Sequence, residues 1–382
     1  MTKENFFPSE ELIYEALYSN SRKINKKYLI SKLKEKGIYV SNNDDPELIL
    51  KYYSKLIHGY TGFATMLEDV STKPKGEKTT SVNIDIKPSD QNEPTKEISL
   101  TSMKDKFIKN IDKDNHDVVY TPHTDRETGN VTIDVEYSEI DYSKTKMIQR
   151  KHKVAVIELI NENDSIKIRH TANEFIRKRV NKLSNIIEKE IELPIEKREI
   201  DFSGIANKNI LTDFLTTLYA KIKILKPISV LSVKMIKPKN LDDNTSLDAE
   251  DDDINDEEVD EGINLNNAIF NGKNVITTGA YQNLKKNNYY VSSIKWESSI
   301  DEEDIKGKLE IIAKFNNHDE VSDFVYRVNG LYKYNSKRKS NSNYLRHITD
   351  KNICSRINNE IEIAAKEISE KLIGKYGGLN NG

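Results

Sequence analysis

The reading of the fold rests on 131-VTIDVEYSEIDYSKTKMIQRKHKVAVIELINENDSIKIRHTANEFIRKRVNKLSNIIEKE-190. It opens on alternation: Val131, Ile133, Val135 and Tyr137 are apolar, with Thr132, Asp134, Glu136 and Ser138 between them. Successive strand side chains point to opposite faces, so this pattern predicts a half-buried strand. After a basic connection, Val154–Ile160 forms a second apolar run, and the turn Asn161–Asp164 leads to Ile166 and Ile168 alternating with Lys167 and Arg169. Three antiparallel strands are the simplest arrangement of these segments. The period then changes. Ile176, Val180, Leu183 and Ile187 fall on one helix face, and Thr171-x-x-Glu174 matches a capping box at its start.

The same order of elements recurs downstream. Tyr289–Trp296, Leu309–Phe315 and Val321–Tyr334 read as strands, and Ile357, Ile361, Ala364, Ile368 and Leu372 stripe a helix over about 353–375. Between the two sets lie a helix over about 209–225 and the strand-like ISVLSVKMI at 228–236. The fold class is therefore α+β: a small helical N-terminal module followed by two mixed units of antiparallel strands and long helices. The expected division is a helical module over 1–68, a polar linker over 69–110 with one strand at Val82–Ile86, and a middle domain over 111–240. An acidic, disordered loop over 241–262 and a C-terminal domain over 263–382 complete it.

Charge is unevenly spread along the chain. The formal net charge is −3, but residues 241–262 carry twelve Asp or Glu and neither Lys nor Arg. Setting those twelve aside leaves a body of +9, which suits contact with phosphate backbones. The run opens as Asp251-x-Asp253-x-Asn255, like a calcium-binding loop. It has Asp256 where a sharp turn needs Gly, and Gly262 where a carboxylate must ligate. The single cysteine, Cys354, precludes an intrachain disulfide and suits a reducing compartment. With no apolar run long enough to span a membrane and no signal-like N-terminus, the expectation is a cytoplasmic protein with no membrane partner.

In the N-terminal module, Ser9-Glu10-Glu11 leads into a short amphipathic helix. The segment 26-KKYLISKLKEKGIYVSNNDDPELILKYYSKLIH-58 then reads as helix, extended loop, helix. Gly37 ends the first helix, Ile38-Tyr39-Val40 is a brief β-like segment, and Asp45-Pro46-Glu47 caps the second. The order L-x-x-x-LK-x-KGI-x-VS…EL-I…L resembles the SAP-like and HeH/LEM-like helix–extended–helix modules, many of which bind nucleic acid. The resemblance covers about a tenth of the chain. It implies a nucleic-acid role for the basic edge at Lys32, Lys34 and Lys36. The carboxylates of Asp44, Asp45 and Glu47 beside the second helix depart from the more basic members.

Two further segments carry basic patches. The connection 144-KTKMIQRKHK-153 holds Lys144, Lys146, Arg150 and Lys151, and the first half of the helix after Glu174 adds Arg177 and Lys178. The stretch 328-VNGLYKYNSKRKSNSNYLRH-347 interleaves Tyr334 and Tyr344 with Lys337, Arg338, Lys339 and Arg346. Cations neutralise phosphate and tyrosine rings stack on unpaired bases, so these are the expected nucleic-acid-binding residues. His116, His123 and Asp125 are candidate metal ligands, although their spacing matches no ligand motif. Asp134 and Glu136 share a strand face, which offers a second place for a divalent ion.

Phosphate-loop, dinucleotide-binding and nucleophile-elbow motifs are absent, and so is any Glu-x-Lys tripeptide of a restriction-type nuclease core. No catalytic residue and no cofactor are expected. The leading expectation is a non-catalytic, nucleic-acid-binding subunit (DNA or RNA) that positions a protein partner, in a bacterial or phage defence or DNA-processing complex. A protein–protein adaptor is the alternative, and a metal-dependent nuclease the third.

Overall fold

Local sequence rules account for the first three helices. In α1 (Glu10–Tyr18), the Ser9 side chain accepts the Leu12 N–H. Asn25 does the same for Tyr28 at the start of α2 (Lys26–Glu35), and Asp45 accepts the Glu47 N–H at the start of α3 (Pro46–Ser54). Each cap satisfies an amide that the helix leaves without a partner. Gly37, at φ +74°, ends α2: its N–H reaches Lys34 O, and the Ile38 N–H reaches Leu33 O at 2.9 Å. That pair of bonds is the Schellman turn, which favours glycine at the left-handed position. Ile38–Val40 follows without joining a strand ladder. Leu17, Leu29, Leu33, Ile49 and Tyr53 close the small core of these helices.

The structure, a computed structural model, describes residues 9–21, 24–59, 62, 65–66, 77–86, 99–110, 118–143, 149–162, 165–191, 195–238 and 267–377. Among them are eight α-helices and one twelve-stranded antiparallel sheet, the α+β class expected from the sequence. The described residues divide into two compact units. Unit 1 draws on Met1–Lys75, Asn110–His123 and Ile133–Val156. Beside α1–α3 it holds β2 (Val119–Thr124), most of β3 (Val131–Ile140) and the first half of β4 (Arg150–Glu162). The alternation read at 131–137 is borne out, with Val131, Ile133, Val135 and Tyr137 all buried.

Unit 2 carries the remaining elements. In sheet order its strands are the second half of β4, β5 (Ser165–Thr171), β1 (Thr79–Ile86), β11 (Ser322–Asn335), β10 (Lys306–Asn317), β9 (Tyr290–Asp301), β7 (Lys226–Ile236) and β8 (Asn267–Asn271). Two short strands, β6 (Ile195–Arg198) and β12 (Ser340–Asn341), pair with β1 and β11. The helices are α4 (Leu100–Asn110), α5 (Glu174–Ile191), α6 (Asn209–Lys221), α7 (Gly279–Lys286) and α8 (Lys351–Gly377). One core runs from Phe202 to Tyr376, joining α6 and α8 to a single face of β7, β9, β10 and β11. Phe214 stands at its centre, edge-on to Phe202, Phe315 and Phe324 at 5.1–5.4 Å between ring centroids. Such edge-to-face pairs contribute about 0.5–1.5 kcal/mol each beyond the area they bury.

Three expectations change here. The strand expected at Val82–Ile86 within the polar linker over 69–110 is present as β1, but it pairs along its length with β5 in the sheet, and the same stretch also holds α4, which buries Leu100, Met103 and Phe107. Val82 and Ile84 carry enough buried apolar surface to hold β1 inside the sheet despite its polar neighbours. Next, the expected boundary between middle and C-terminal domains is crossed by pairing: β7 lies between β8 and β9. The acidic loop over 241–262 lies outside the described residues. Finally, Thr171 is the last residue of β5, and the cap at the start of α5 is made by Asn173, whose side chain accepts the Ile176 N–H at 2.9 Å.

A charged network is buried within unit 2. Arg169 on β5 grips Glu362 on α8 with two bonds, Nε to Oε1 at 2.8 Å and Nη2 to Oε2 at 2.9 Å. Its Nη1 reaches Glu158 at 2.6 Å and Ser355 at 3.1 Å, and Nη2 also donates to Asn359. The Tyr326 hydroxyl donates to Glu362 at 2.7 Å, and Lys167 stands 3.5 Å from the same carboxylate. Burial by itself would raise the Glu362 pKa, but Arg169 and Lys167 outweigh it and hold the group ionised.

Candidate nucleic-acid interface

The segment singled out at 332–347 folds back on β11 as a hairpin. Tyr334 pairs with Asn341 and Asn335 with Ser340, leaving Ser336–Lys339 as the turn. The Asn335 side chain accepts the N–H groups of Lys337 and Arg338 at 3.0 and 3.2 Å, and Lys339 adopts a left-handed φ of +49°. These bonds tighten the turn and present Lys337, Arg338 and Lys339 side by side in solvent. The chain returns along the edge of β11 through a bridge between Leu331 and Arg346, with N–H to O distances of 2.8 and 3.1 Å. Gly330 makes that return possible, because a Cβ there would lie 2.5 Å from the Arg346 carbonyl oxygen. Beyond Asn341, Tyr344 is 76 % exposed, and its backbone N–H is held by Ser342 Oγ at 3.1 Å.

A β-bulge decides which way the tyrosines of β11 point. Up to Val328 the even-numbered residues Phe324, Tyr326 and Val328 meet the core. The register against β10 slips between Glu310 and Ile311, after which Leu331 turns to the core and Tyr332 and Tyr334 to the other face. An extra residue in one strand reverses the parity of everything beyond it. On that face stand Lys308 and Lys306 of β10, with ammonium groups 4.6 Å from the Tyr332 ring centroid and 5.4 Å from that of Tyr334.

Carboxylates are interleaved with these cations. Glu297 and Glu310 face each other across β9 and β10, and each is neutralised by a lysine: Lys308 to Glu297 at 2.6 Å, Lys295 to Glu310 at 3.1 Å. Asn329 donates to Glu310 at 2.8 Å. Burial raises the pKa of Tyr332, and the two carboxylates add to it, so that phenol stays protonated. Lys306, held by Asp301 at 2.8 Å, is half exposed, and that contact raises its pKa. Sequence reading missed Lys306 and Lys308. Their alternation with Leu309 was visible, but the register that sets Tyr332 and Tyr334 beside them was not.

The remaining expected residues are spread apart. In unit 2, Arg177 is paired with Asp323 at 2.5 Å and Lys178 with Glu174 at 2.7 Å. Asp323 stands at the opposite end of β11 from Tyr334, roughly 35 Å along a strand rising about 3.3 Å per residue. Arg177 and Lys178 therefore do not join the hairpin. In unit 1, Lys32 contacts Glu35 at 3.4 Å, Lys36 donates to Ile57 O at 3.2 Å, and Lys34 is exposed. Lys26 donates to the carbonyls of Asn42 and Asp44, bracing the loop before α3. Arg150 is exposed, and Lys151 binds Asp141 at 2.8 Å, a contact that lowers the Asp141 pKa. Lys144 and Lys146 lie outside the described residues.

The metal candidates do not converge. His116 lies outside the described residues, and Asp125 is occupied in its own turn, accepting Thr128 Oγ1 at 2.6 Å and the Glu127 N–H at 2.9 Å. His123 faces Asp134 at 3.3 Å, while Glu136 faces His152 at 3.7 Å. Among the described residues no three His, Cys, Asp or Glu side chains come together as a metal site. No helix among them is long and apolar enough to cross a membrane. In comparison with known proteins, the chain matches no family model and no curated protein.

Proposed function

We propose that this chain is a non-catalytic, nucleic-acid-binding subunit that positions a protein partner in a cytoplasmic DNA- or RNA-processing or defence complex. The observation that carries the reading is the β11–β12 hairpin. Three adjacent cations project from its turn, and tyrosines flank them on the strand and on the returning loop. Lysine and arginine supply sequence-independent affinity for phosphate, and exposed aromatic rings supply contacts to bases. The +9 body outside the acidic run and the helix–extended–helix resemblance at 26–58 support the same reading.

A protein adaptor is favoured by a different observation in unit 1. Leu48 and Tyr52, one turn apart on α3, are 62 % and 50 % exposed, and Ile57 is 94 % exposed. Apolar surface of this kind suits a protein partner. Titration of the full chain with single- and double-stranded DNA and RNA across a salt series separates the two readings. The nucleic-acid reading expects binding at low salt, with log K falling against log[salt] at a slope of about −3 to −4 for four phosphate contacts. Absence of binding to all four forms at low salt overturns it in favour of the adaptor.

A further inference from the structure

Resting on the nucleic-acid reading, we infer that the hairpin face takes an unpaired strand, with bases stacked on Tyr334 and Tyr344 and the backbone along Lys306 and Lys337–Lys339. The bulge before Leu331 puts Tyr332 and Tyr334 on one face, two residues apart, with the lysines of β10 beside them. In a duplex the base faces are already stacked on one another, and only their edges are offered to a protein. A ring lying on a sheet face can use its π surface only on a base that has left the stack.

The magnitudes favour the exchange. An exposed lysine over a tyrosine ring contributes only about twofold to fivefold in affinity. A base stacked on the same ring contributes about fivefold to hundredfold. Lys306 is half exposed and held only by the exposed Asp301, so an incoming base displaces it from Tyr334 and leaves its ammonium beside the strand it came with. Tyr332 stays where it is, partly buried above Glu310, and forms the floor of the site. The loop bearing Tyr344 is pinned at Ser342 and Arg346, which limits the ordering cost of using that ring.

The test titrates the full chain with a mixed-sequence DNA oligonucleotide, the RNA of the same sequence, and the DNA duplex, following tyrosine fluorescence and anisotropy. Tyr334→Ala and Tyr344→Ala are each expected to weaken single-strand binding about fivefold to hundredfold, and to leave duplex binding nearly unchanged. Tyr334→Phe, which keeps the ring, is expected to restore single-strand affinity; it also guards against an Ala variant that misfolds. Equal weakening by Tyr334→Ala and Tyr334→Phe, or Ala variants that bind single strands as the parent does, overturns the inference and leaves the nucleic-acid reading standing. Failure of the parent chain to bind any of the three ligands overturns both. A preference between the DNA and RNA strands identifies the source of the unpaired strand.

Discussion

Arg169 and Glu362 show how much can hang on one pair of side chains. Both are nearly inaccessible, and they join the sheet to the long C-terminal helix. Removing one partner of a buried pair strands the other charge, at a cost of about 3–5 kcal/mol, whereas apolar residues at both positions cost far less. Arg169→Met alone is therefore expected to lower the free energy of unfolding by about 3–5 kcal/mol, measured by denaturant titration, and Arg169→Met with Glu362→Leu to recover most of it. Acid should act at the same scale, in two stages. Burial lowers the pKa of His170, against the raising effects of its bond to Thr171 O and of Asp323; Arg177 lowers it further. Burial likewise lowers that of His58. A base whose pKa is depressed on folding leaves stability intact above its ordinary value of 6.5 and erodes it as pH falls below. Glu362, held below its ordinary 4.5, adds stability that is lost as pH falls further. Thermal midpoints should fall once below pH 6.5, less so in His170→Asn, and again below 4.5; a flat profile from 7 to 5.5 would count against the buried His170 and half-buried His58 as neutral imidazoles.

At the level of elements, what was legible depended on whether the signal was local. The strands β3, β5 and β10 were readable because apolar residues alternate within each one, β4 because its apolar run is continuous, and α8 because its apolar stripe recurs at helical spacing. Which strands pair was not readable. β1 sits between β5 and β11 although chain-distant from both, and nothing in TTSVNIDI names those partners. The same limit hid Lys306 and Lys308, whose role arises only through pairing with β11. The bulge at Glu310/Ile311 has no sequence mark beyond Gly330, so the outward turn of Tyr332 and Tyr334 could not be foreseen. One consequence of the pairing is open to measurement. β7 and β8 are antiparallel, with Ile236 opposite Asn267, so the chain between them leaves and re-enters the sheet at one end of that pair. Replacing 239–265 by a four-residue turn removes the acidic run and shortens the closed loop by roughly two doublings. That should stabilise the fold by about 1–2 kcal/mol in denaturant titration. Loss of cooperative unfolding instead would show that the run is needed for folding.

For the whole molecule, the claim is that a basic body meets nucleic acid chiefly through one hairpin. Among the described residues most other expected cations are already engaged: Arg177 by Asp323, Lys178 by Glu174, Lys151 by Asp141, Lys32 by Glu35 and Lys36 by the Ile57 carbonyl. Lys337, Arg338 and Lys339 combine exposure, adjacency and neighbouring rings. The most direct measurement is the salt dependence of oligonucleotide binding by the parent chain and by Lys337→Ala/Arg338→Ala/Lys339→Ala, once circular dichroism shows both folded. If the turn contacts phosphate, the triple variant binds more weakly at every salt concentration, and its slope of log K against log[salt] is shallower by about 2–3 units. An unchanged affinity and an unchanged slope would contradict the account.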